Sequence, residues 1–173
     1  MSSVPKLTFV IGGARSGKSR YGESVIATLP PPWTYLATAE PLDTEMIERI
    51  AAHRARRGPQ WRTVEAPRDL AAALAECETT PVLVDCLTLW LSNQMLAHAN
   101  IDLEMARLED ALTAAKTPIV LIANEVGSGI VPDHPLGRKF RDLQGVLNQR
   151  MAARADRVVL VVAGLPLALK GSL

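Results

Sequence analysis

Short apolar runs alternate along the chain with longer segments in which apolar residues recur at helical spacing. The short runs predict strands at residues 7–11, 33–37, 61–64, 82–84, 119–123 and 158–162. The longer segments predict helices at residues 18–29, 43–57, 69–78, 88–97, 102–116 and 136–153. Continuous apolar strands separated by helices are typical of a mostly parallel sheet that helices cover on both faces. Because no linker or internal repeat interrupts this order, we expect a single α/β domain over residues 1–173.

The composition indicates a globular protein without an extended charged surface. Of the 173 residues, 48% are hydrophobic and 21% are charged, and the charged share is too low for a disordered chain. With 19 Lys and Arg against 18 Asp and Glu, the net charge of +1 argues against a general nucleic-acid binder. Aromatic residues make up 4%, which leaves little material for base stacking. No apolar stretch reaches the ~18 residues that a membrane span needs.

The few histidines and cysteines argue against a metal cluster. They are His53, His98 and His134, and Cys77 and Cys86. No pair of them has the spacing of zinc ligands, and two isolated thiols make no disulfide framework. The first residues contain no signal-peptide segment. We therefore expect the reducing cytoplasm to be the setting of the protein.

The strongest motif is a glycine-rich loop of the form G-x-x-x-x-G-K-[ST]. It consists of Gly12, Gly13, Ala14, Arg15, Ser16, Gly17, Lys18 and Ser19. The loop follows a predicted buried strand and precedes a predicted helix, so its backbone N–H groups and the helix N-terminus can surround phosphate. We expect Lys18 to reach the β- and γ-phosphates and the Ser19 hydroxyl to bind Mg²⁺. The motif thus predicts a site for a nucleoside triphosphate.

A carboxylate that supports Mg²⁺ should follow another buried strand, because parallel strands end at the same edge of a sheet. Asp85, which closes the apolar run at residues 82–84, is the best candidate. Its alternative role is that of a helix N-cap, and the two roles are compatible. A regulatory GTPase is not expected, because the base-reading motif N-K-x-D is absent. The nearest string is Asn-Glu-Val-Gly at residues 124–127.

A histidine lies inside a run of arginines that contains no acidic residue. The arginines are Arg49, Arg54, Arg56, Arg57 and Arg62, and the histidine is His53. The run has an ordinary structural interpretation, a solvated helix end whose cations face the negative helix terminus. Beside a phosphate loop, however, guanidinium groups suit a triphosphate or a pyrophosphate leaving group. Neutral imidazole is a competent nucleophile towards phosphorus, so these residues permit a nucleotidyl-histidine intermediate without proving one.

Together these features resemble a known family, the bifunctional adenosylcobinamide kinase / adenosylcobinamide-phosphate guanylyltransferase of cobalamin biosynthesis. The likeness runs nearly end to end. It includes the phosphate loop, His-Arg-Ala-Arg-Arg at residues 53–57 and Asn-Glu-Val-Gly-Ser-Gly-Ile-Val-Pro at residues 124–132. The phosphate loop is shared with many families, whereas the other two segments in this order are much more specific. The resemblance implies a RecA-like P-loop NTPase fold assembled as a homotrimer.

The resemblance further implies two reactions in one protein. First, ATP or GTP phosphorylates the terminal hydroxyl on the aminopropanol arm of adenosylcobinamide, with Lys18 at the phosphates. GTP then guanylylates a histidine, which is His53 by the motif match. GMP passes from it to the new phosphate, giving adenosyl-GDP-cobinamide, and pyrophosphate is released. The match assigns to the nucleotide and Mg²⁺ site the loop residues 12–19 with Ala39, Glu40, Pro41, Arg54, Arg56, Arg57, Glu65 and Asp85.

Four other assignments bear on the site. Glu65 either contacts guanine or ribose, or is an ordinary exposed carboxylate at a strand end. Glu125 either binds substrate or metal, or caps the segment that follows. His98 is expected to be half-buried in an apolar helix, and His134 to lie in a loop or at a helix start. The arginines of the last helix are expected to form a mostly solvated face.

Two rival functions would use the same phosphate loop. A monofunctional small-molecule kinase would form no covalent nucleotide on the protein. A non-enzymatic, nucleotide-gated regulatory protein would turn over no cobinamide and would act through a partner protein. The presence or absence of a labelled protein after incubation with GTP separates the first rival from the two-reaction enzyme.

Overall fold

The computed structural model describes residues 5–41 and 43–173. The strands are β1 (Leu7–Gly12), β2 (Trp33–Ala37), β3 (Trp61–Glu65), β4 (Val82–Asp85), β5 (Ile119–Asn124), β6 (Arg157–Val162) and β7 (Leu165–Lys170). The helices are α1 (Lys18–Ile26), α2 (Thr44–Ala55), α3 (Leu70–Ala75), α4 (Leu87–Leu96), α5 (Ile101–Ala114) and α6 (Pro135–Arg154). Within the described ranges the strands form one sheet in the order β3-β2-β4-β5-β1-β6-β7.

Strands β1 to β6 run parallel, so their carboxyl ends meet at one edge of the sheet. β5 lies between β1 and β4, with Gly12 opposite Asn124 and Val84 opposite Leu121. The glycine-rich loop after β1 and Asp85 at the end of β4 therefore lie at the same edge. In open α/β sheets this is the edge at which ligands bind. The arrangement confirms the predicted α/β architecture with its mostly parallel sheet.

The structure contains one strand that the sequence pattern did not predict. β7 follows β6 through a tight turn and pairs with it antiparallel at the border of the sheet. Leu165, Leu167 and Leu169 of β7 face outward and are 72%, 57% and 57% exposed. Because this segment buries no apolar face and contains Pro166, it lacks the pattern of a central strand and fits only an edge.

Helices cover both faces of the sheet, as predicted. On one face α3 to α6 pack against the strands through buried side chains that include Trp90, Leu108 and Leu147. On the other face α1 packs through Ile26 into a second core that contains Ile122. Each fully buried leucine or isoleucine contributes roughly 1.5–3 kcal/mol, so both layers are firmly held. None of the described helices is long and apolar enough to cross a membrane.

A carboxylate on α5 joins that helix to α6. The two oxygens of Glu109 accept hydrogen bonds from Arg150 at 2.6 and 2.9 Å, and one of them also accepts from Arg154 at 2.9 Å. The Arg150 hydrogen bonds outweigh desolvation and, with those of Arg154, hold the pKa of Glu109 down at about 2. The expectation of a mostly solvated arginine face on the last helix is therefore wrong for Arg150, which is half-buried against its carboxylate partner on α5, whereas Arg154 remains exposed while it pairs with the same carboxylate.

The positions predicted for His98 and His134 have different outcomes in the structure. α4 ends at Leu96, and His98 follows it with a φ of 55° and an exposed side chain. The expectation of a half-buried His98 within a helix is therefore wrong, because the helix stops before reaching it. His134 is the N-cap of α6, where its Nδ1 accepts the backbone N–H of Leu136 at 3.2 Å. Its predicted position at a helix start is confirmed.

Candidate nucleotide-binding site

The glycine-rich loop makes a tight connection between β1 and α1. Gly17 is the N-cap of α1 with a φ of 95°, and a Cβ there would lie 3.2 Å from the Cα of Gly164. A Cβ on Gly12 would lie 2.5 Å from the carbonyl oxygen of Val161. The positive φ and these close approaches require glycine at both positions. The loop therefore leads directly into the unpaired N–H groups of the first turn of α1.

Ser16 and Lys18 of the loop are buried, whereas Ala14 and Arg15 between the glycines are exposed. Lys18 is 9% exposed, and its Nζ donates to the carbonyl oxygen of Gly13 at 3.0 Å. The N–H of Ser16 donates to the same carbonyl at 3.3 Å, and the carbonyl of Ser16 accepts the N–H of Gly164 at 2.8 Å. Ser19 follows, half-buried in the first turn of α1. A lysine and a helix N-terminus at one loop form an electropositive cradle suited to phosphates.

Asp85 closes β4 at the same edge and is fixed by a neighbouring strand. Its Oδ2 accepts the hydroxyl of Tyr35 on β2 at 3.0 Å. The pKa of Tyr35 is raised mainly by burial and secondly by the negative charge of Asp85. The phenol therefore remains protonated and donates the hydrogen bond. The N-cap of α4 is Cys86, which makes no side-chain capping bond. The alternative role of Asp85 as the N-cap of this helix is therefore wrong, because the helix begins one residue too late.

Helix α2 brings His53 to this carboxylate. Asp43 caps the helix by accepting a backbone N–H at 2.7 Å, and His53 lies in its last turn. The Nδ1 of His53 lies 3.9 Å from Oδ2 of Asp85 and 3.3 Å from Nη2 of Arg56. The His53 side chain is 32% exposed and Asp85 is 10% exposed. A partly accessible imidazole thus lies near a largely buried carboxylate at the edge where the phosphate loop lies.

Arg57 is held beside the same tyrosine. Its guanidinium carbon lies 3.6 Å from the centroid of the Tyr35 ring, and Nη2 contacts Oγ1 of Thr63 at 3.5 Å. Its Nε and Nη1 are buried, and no residue in the described ranges accepts a hydrogen bond from them. Buried donors that lack a partner are uncommon. A stacked guanidinium with such donors suits a phosphate group.

Glu23 of α1 completes the cluster and was not singled out from the sequence. Its Oε1 lies 3.4 Å from Nη2 of Arg56. Burial raises the pKa of Glu23 and Asp85 adds to this rise, while Arg56 and Arg57 oppose it. The site therefore holds two carboxylates and two guanidinium groups around the end of α2. No sequence signal marks Glu23, because its contact with Arg56 joins residues that lie 33 positions apart in the chain.

Arg54 and Glu65 pair with each other at the border of this cluster. Their Nη2 and Oε1 atoms lie 3.2 Å apart, and the side chains are 58% and 72% exposed. An ion pair this exposed contributes little to stability. Glu65 is thus an exposed carboxylate at a strand end, as one of its two interpretations predicts. An exposed position is also compatible with the other interpretation, a contact with guanine or ribose.

The turn after β2 is tied to the turn after β4. It begins with Thr38 and continues through Ala39, Glu40 and Pro41. The hydroxyl of Thr38 donates to the carbonyl of Cys86 and accepts its N–H, both at 2.7 Å. Glu40 pairs with Arg68 at 3.4 Å. Burial raises the pKa of Cys86 to about 11, so its thiol stays protonated and serves packing.

Not every residue of the arginine run reaches the site. Arg62 lines a separate groove with Thr34, Cys77 and Thr80, near the amino ends of β2 and β3. The side chain of Arg49 lies outside the described residues. Among the described side chains of the run, Arg56 contacts His53 and Arg57 stacks on Tyr35.

The carboxylate of Glu125 accepts hydrogen bonds from the turn that follows it. The donors are the backbone N–H groups of Gly127 at 2.8 Å and Ser128 at 3.2 Å. Partial burial acts to raise the pKa of Glu125, but these hydrogen bonds outweigh it and the pKa lies below its usual value. Of the two interpretations of Glu125, the structure supports the cap of the following segment.

The oxygen atoms at this edge suit a Mg²⁺ ion that is bound together with a nucleotide. Mg²⁺ is usually bound through one or two carboxylates together with substrate phosphates. Ser19 and Asp85 offer a hydroxyl and a carboxylate near the loop. Within the described residues no group of three or more His, Cys, Asp or Glu could hold a metal ion. A bound Mg²⁺ would therefore depend on the phosphates of a nucleotide.

The loop after β1 and the order of the strands define a P-loop nucleotide-binding protein with a RecA-like fold. Solved structures share the fold at low sequence identity. The flagellar accessory protein FlaH of Methanocaldococcus jannaschii matches with a TM-score of 0.54 and 14% identity, over 95% of this chain and 78% of that one. An ATPase of the type III secretion system of pathogenic bacteria matches with a TM-score of 0.57 and 11% identity, over 94% and 56%.

The chain belongs to the cobinamide kinase / cobinamide phosphate guanyltransferase family, whose model matches residues 8–169. It is 47% identical to the bifunctional adenosylcobalamin biosynthesis protein CobP of Pseudomonas aeruginosa, over 94% of this chain and 96% of the relative. It is 39% identical to the bifunctional adenosylcobalamin biosynthesis protein CobU of Salmonella typhimurium, over 95% and 99%. The resemblance inferred from the sequence motifs is thereby confirmed.

Proposed function

We propose that this protein catalyses both reactions of its family, the phosphorylation of adenosylcobinamide and the guanylylation of the resulting phosphate. Family membership over nearly the whole chain supports the pair of activities. The observation that carries the proposal is the place of His53, with Nδ1 3.9 Å from Asp85 and 3.3 Å from Arg56 at the edge of the phosphate loop. A P-loop kinase that transfers only the γ-phosphoryl group has no need of a nucleophilic side chain there.

The kinase step uses the phosphate loop. The loop N–H groups, the first turn of α1 and Lys18 bind the phosphates of ATP or GTP and neutralise charge that develops as the γ-phosphoryl group leaves. Ser19 and Asp85 are the side chains that would hold Mg²⁺, which supplies further charge neutralisation when bound. The chain's own contribution is to position the triphosphate, because phosphoryl transfer asks for alignment more than for covalent chemistry.

The guanylyl step uses the imidazole. His53 attacks the α-phosphorus of GTP, a P–N bond forms, and the bond to the β-phosphate oxygen breaks so that pyrophosphate leaves with the electron pair. A phosphate oxygen of adenosylcobinamide phosphate then attacks the same phosphorus and displaces the histidine. Nδ1 faces both Asp85 and Arg56, so Nε2 is the nitrogen left to face the nucleotide, and it attacks from the tautomer in which Nδ1 carries the ring proton and turns it towards Asp85. Arg56 and Arg57 neutralise the departing pyrophosphate.

The remaining residues complete the nucleotide site in this proposal. Arg54 and Glu65 exchange their exposed mutual ion pair for contacts with the guanine or the ribose. Ala39, Glu40 and Pro41 form a wall of the site, which the buried Thr38 anchors to the turn after β4.

Labelled GTP tests the covalent step directly. The protein is incubated with Mg²⁺ and GTP labelled at the α- or the γ-phosphate, then denatured and washed. We expect α-label alone to stay on the protein, with the lability to acid and stability to base of a P–N bond. The label should disappear in His53→Asn and persist in His98→Asn, a control histidine that is exposed after α4. Absence of α-label on the wild-type protein would favour a monofunctional kinase.

We also propose that the protein works as a homotrimer in the cytoplasm. The outward leucines of β7 form an apolar strip at the border of the sheet. Ile130 and Val131, in the loop before α6, are 97% and 58% exposed. Apolar surfaces of this kind are typical of subunit contacts. Light scattering at several concentrations should give three times the 18.7 kDa mass of the chain, and a stable monomer would contradict the assembly.

A further inference from the structure

Strand β5 ends in an amide whose oxygen is buried without a hydrogen-bond partner. The Oδ1 of Asn124 is inaccessible to solvent, and no residue in the described ranges donates to it. Its backbone is well fixed, because the N–H donates to Oγ1 of Thr88 at 2.7 Å and the carbonyl accepts Nδ2 of Asn148 at 3.1 Å. Burying an acceptor without a donor is destabilising, so such a group in a well-fixed position needs an explanation.

The pleat of β5 directs this side chain to the α1 face of the sheet. Leu121 and Ala123 contribute to the core beneath α3 to α6, whereas Val120 and Ile122 contribute to the core beneath α1. Side chains along a strand alternate between the two faces. Asn124 therefore follows Ile122 on the α1 face, where the phosphate loop leads into its helix.

On that face Asn124 lies between the phosphate loop and the proposed Mg²⁺ carboxylate. On one side it is opposite Gly12, the first residue of the loop, and the N–H of Glu125 donates to the Gly12 carbonyl at 3.1 Å. On the other side Asp85 is opposite Ile122, two residues earlier on β5. Diagonal neighbours on one face of a sheet are roughly 7–8 Å apart. Asn124 thus lies at the carboxyl edge of the sheet, between the first residue of the phosphate loop and Asp85.

We propose that Asn124 orients the substrate hydroxyl in the kinase step, an inference that rests on the proposed function. The amide oxygen can only accept a hydrogen bond, and among the groups that react at the γ-phosphorus the aminopropanol hydroxyl is the one with an O–H to donate. The hydroxyl oxygen forms a bond to the γ-phosphorus, and the bond from that phosphorus to the β–γ bridging oxygen breaks with the electron pair leaving on the nucleoside diphosphate. The hydroxyl proton passes to an oxygen of the transferred phosphoryl group. Asn124 takes no proton and aligns the attacking oxygen.

This role belongs to the first reaction alone. The guanylylation of His53 has an imidazole nucleophile, and its second half has a phosphate nucleophile without a hydroxyl to align. Loss of the amide should therefore separate the two activities. A residue that merely maintains the carboxyl edge of the sheet would affect both.

The test compares Asn124→Ala and the near-isosteric Asn124→Leu with wild type in three assays. The assays are steady-state phosphorylation of adenosylcobinamide with ATP, labelling of His53 by α-labelled GTP, and GMP transfer to adenosylcobinamide phosphate supplied directly. We expect kcat for phosphorylation to fall about 10- to 100-fold, as for a misaligned nucleophile, with the KM for ATP and both guanylyl assays within about threefold of wild type. Gln149→Ala, which removes an exposed amide on α6, serves as control and should match wild type in all three.

The outcomes separate this inference from the proposed function. Wild-type protein without phosphorylation activity would remove the proposed function itself. With active wild type, unchanged phosphorylation in both variants would overturn the role of Asn124. Parallel losses in all three assays would indicate a structural role, and a raised KM for ATP at unchanged kcat would indicate a nucleotide contact; either result would also overturn it.

Discussion

Replacing Glu109 by glutamine tests how much the ion pairs between α5 and α6 stabilise the protein. Both oxygens of this buried carboxylate accept from Arg150, and one also accepts from Arg154. Glutamine keeps the size and one acceptor oxygen but removes the charge. The two arginines then lose their buried counter-charge, so we expect the free energy of unfolding to fall.

The magnitude follows from the pKa of Glu109. A pKa of about 2 against the ordinary 4.5 corresponds to about 3 kcal/mol if the carboxyl is unperturbed in the unfolded chain. Arg150 and Arg154 are 30% and 43% exposed, so solvent screens part of this interaction. We therefore expect Glu109→Gln to cost about 1–2 kcal/mol at pH 7. In a chain of this length each kcal/mol lowers Tm by roughly 2–4 °C.

The pH dependence gives the sharper check. Because folding lowers the pKa of Glu109, its contribution is complete above the unfolded-state pKa and is lost as the pH falls from about 4.5 towards 2. Urea unfolding of wild type and Glu109→Gln at pH 7, 5, 4 and 3 should show a stability difference that shrinks below pH 4.5. Equal stability at pH 7, or a difference that does not change with pH, would refute this reasoning.

Three further substitutions test the site. Tyr35→Phe, which loses the hydroxyl that holds Asp85, should slow guanylylation of His53 about tenfold in single-turnover labelling, and a wild-type rate would show that this hydrogen bond is dispensable. Gly17→Ala places a Cβ at a φ of 95° and should abolish nucleotide binding measured by calorimetry, whereas retained affinity would contradict the need for glycine. Asp43→Ala removes the N-cap of α2 and should cost about 1 kcal/mol in urea unfolding; unchanged stability would mean that the cap is not needed.

The fold was predictable from the sequence where elements bury continuous apolar faces. Strands β1, β4, β5 and β6 carry such runs, whereas β2 and β3 are mixed in polarity and the residues of β3 are all half-buried or exposed; all six were predicted within one residue of their observed bounds. β7 escaped because Leu165, Leu167 and Leu169 alternate towards solvent rather than towards a core. The apolar side chains of this edge strand pack against no core in the part of the chain that the structure describes. The strand therefore lacks the core-facing pattern from which the other strands were predicted.

The site was predictable where its residues form a motif of consecutive positions in the sequence. The phosphate loop carries its spacing and its glycines in one segment, and His53 stands among its arginines. Glu23 and Tyr35 carry no such signal, because Glu23 reaches the site through its ion pair with Arg56 at the end of α2, and Tyr35 does so only after β2 pairs with β4. Asn124 became prominent only when its buried oxygen proved to lack a partner among the described residues.

The product of the complete reaction tests the central claim most directly. Purified protein is incubated with Mg²⁺, GTP and adenosylcobinamide, and the corrinoids are identified by mass spectrometry over time. We expect a phosphorylated corrinoid to appear first and a GDP-linked corrinoid to follow, with His53→Asn arrested at the phosphorylated product. Recovery of unmodified adenosylcobinamide alone from active, folded wild-type protein would contradict the proposed function.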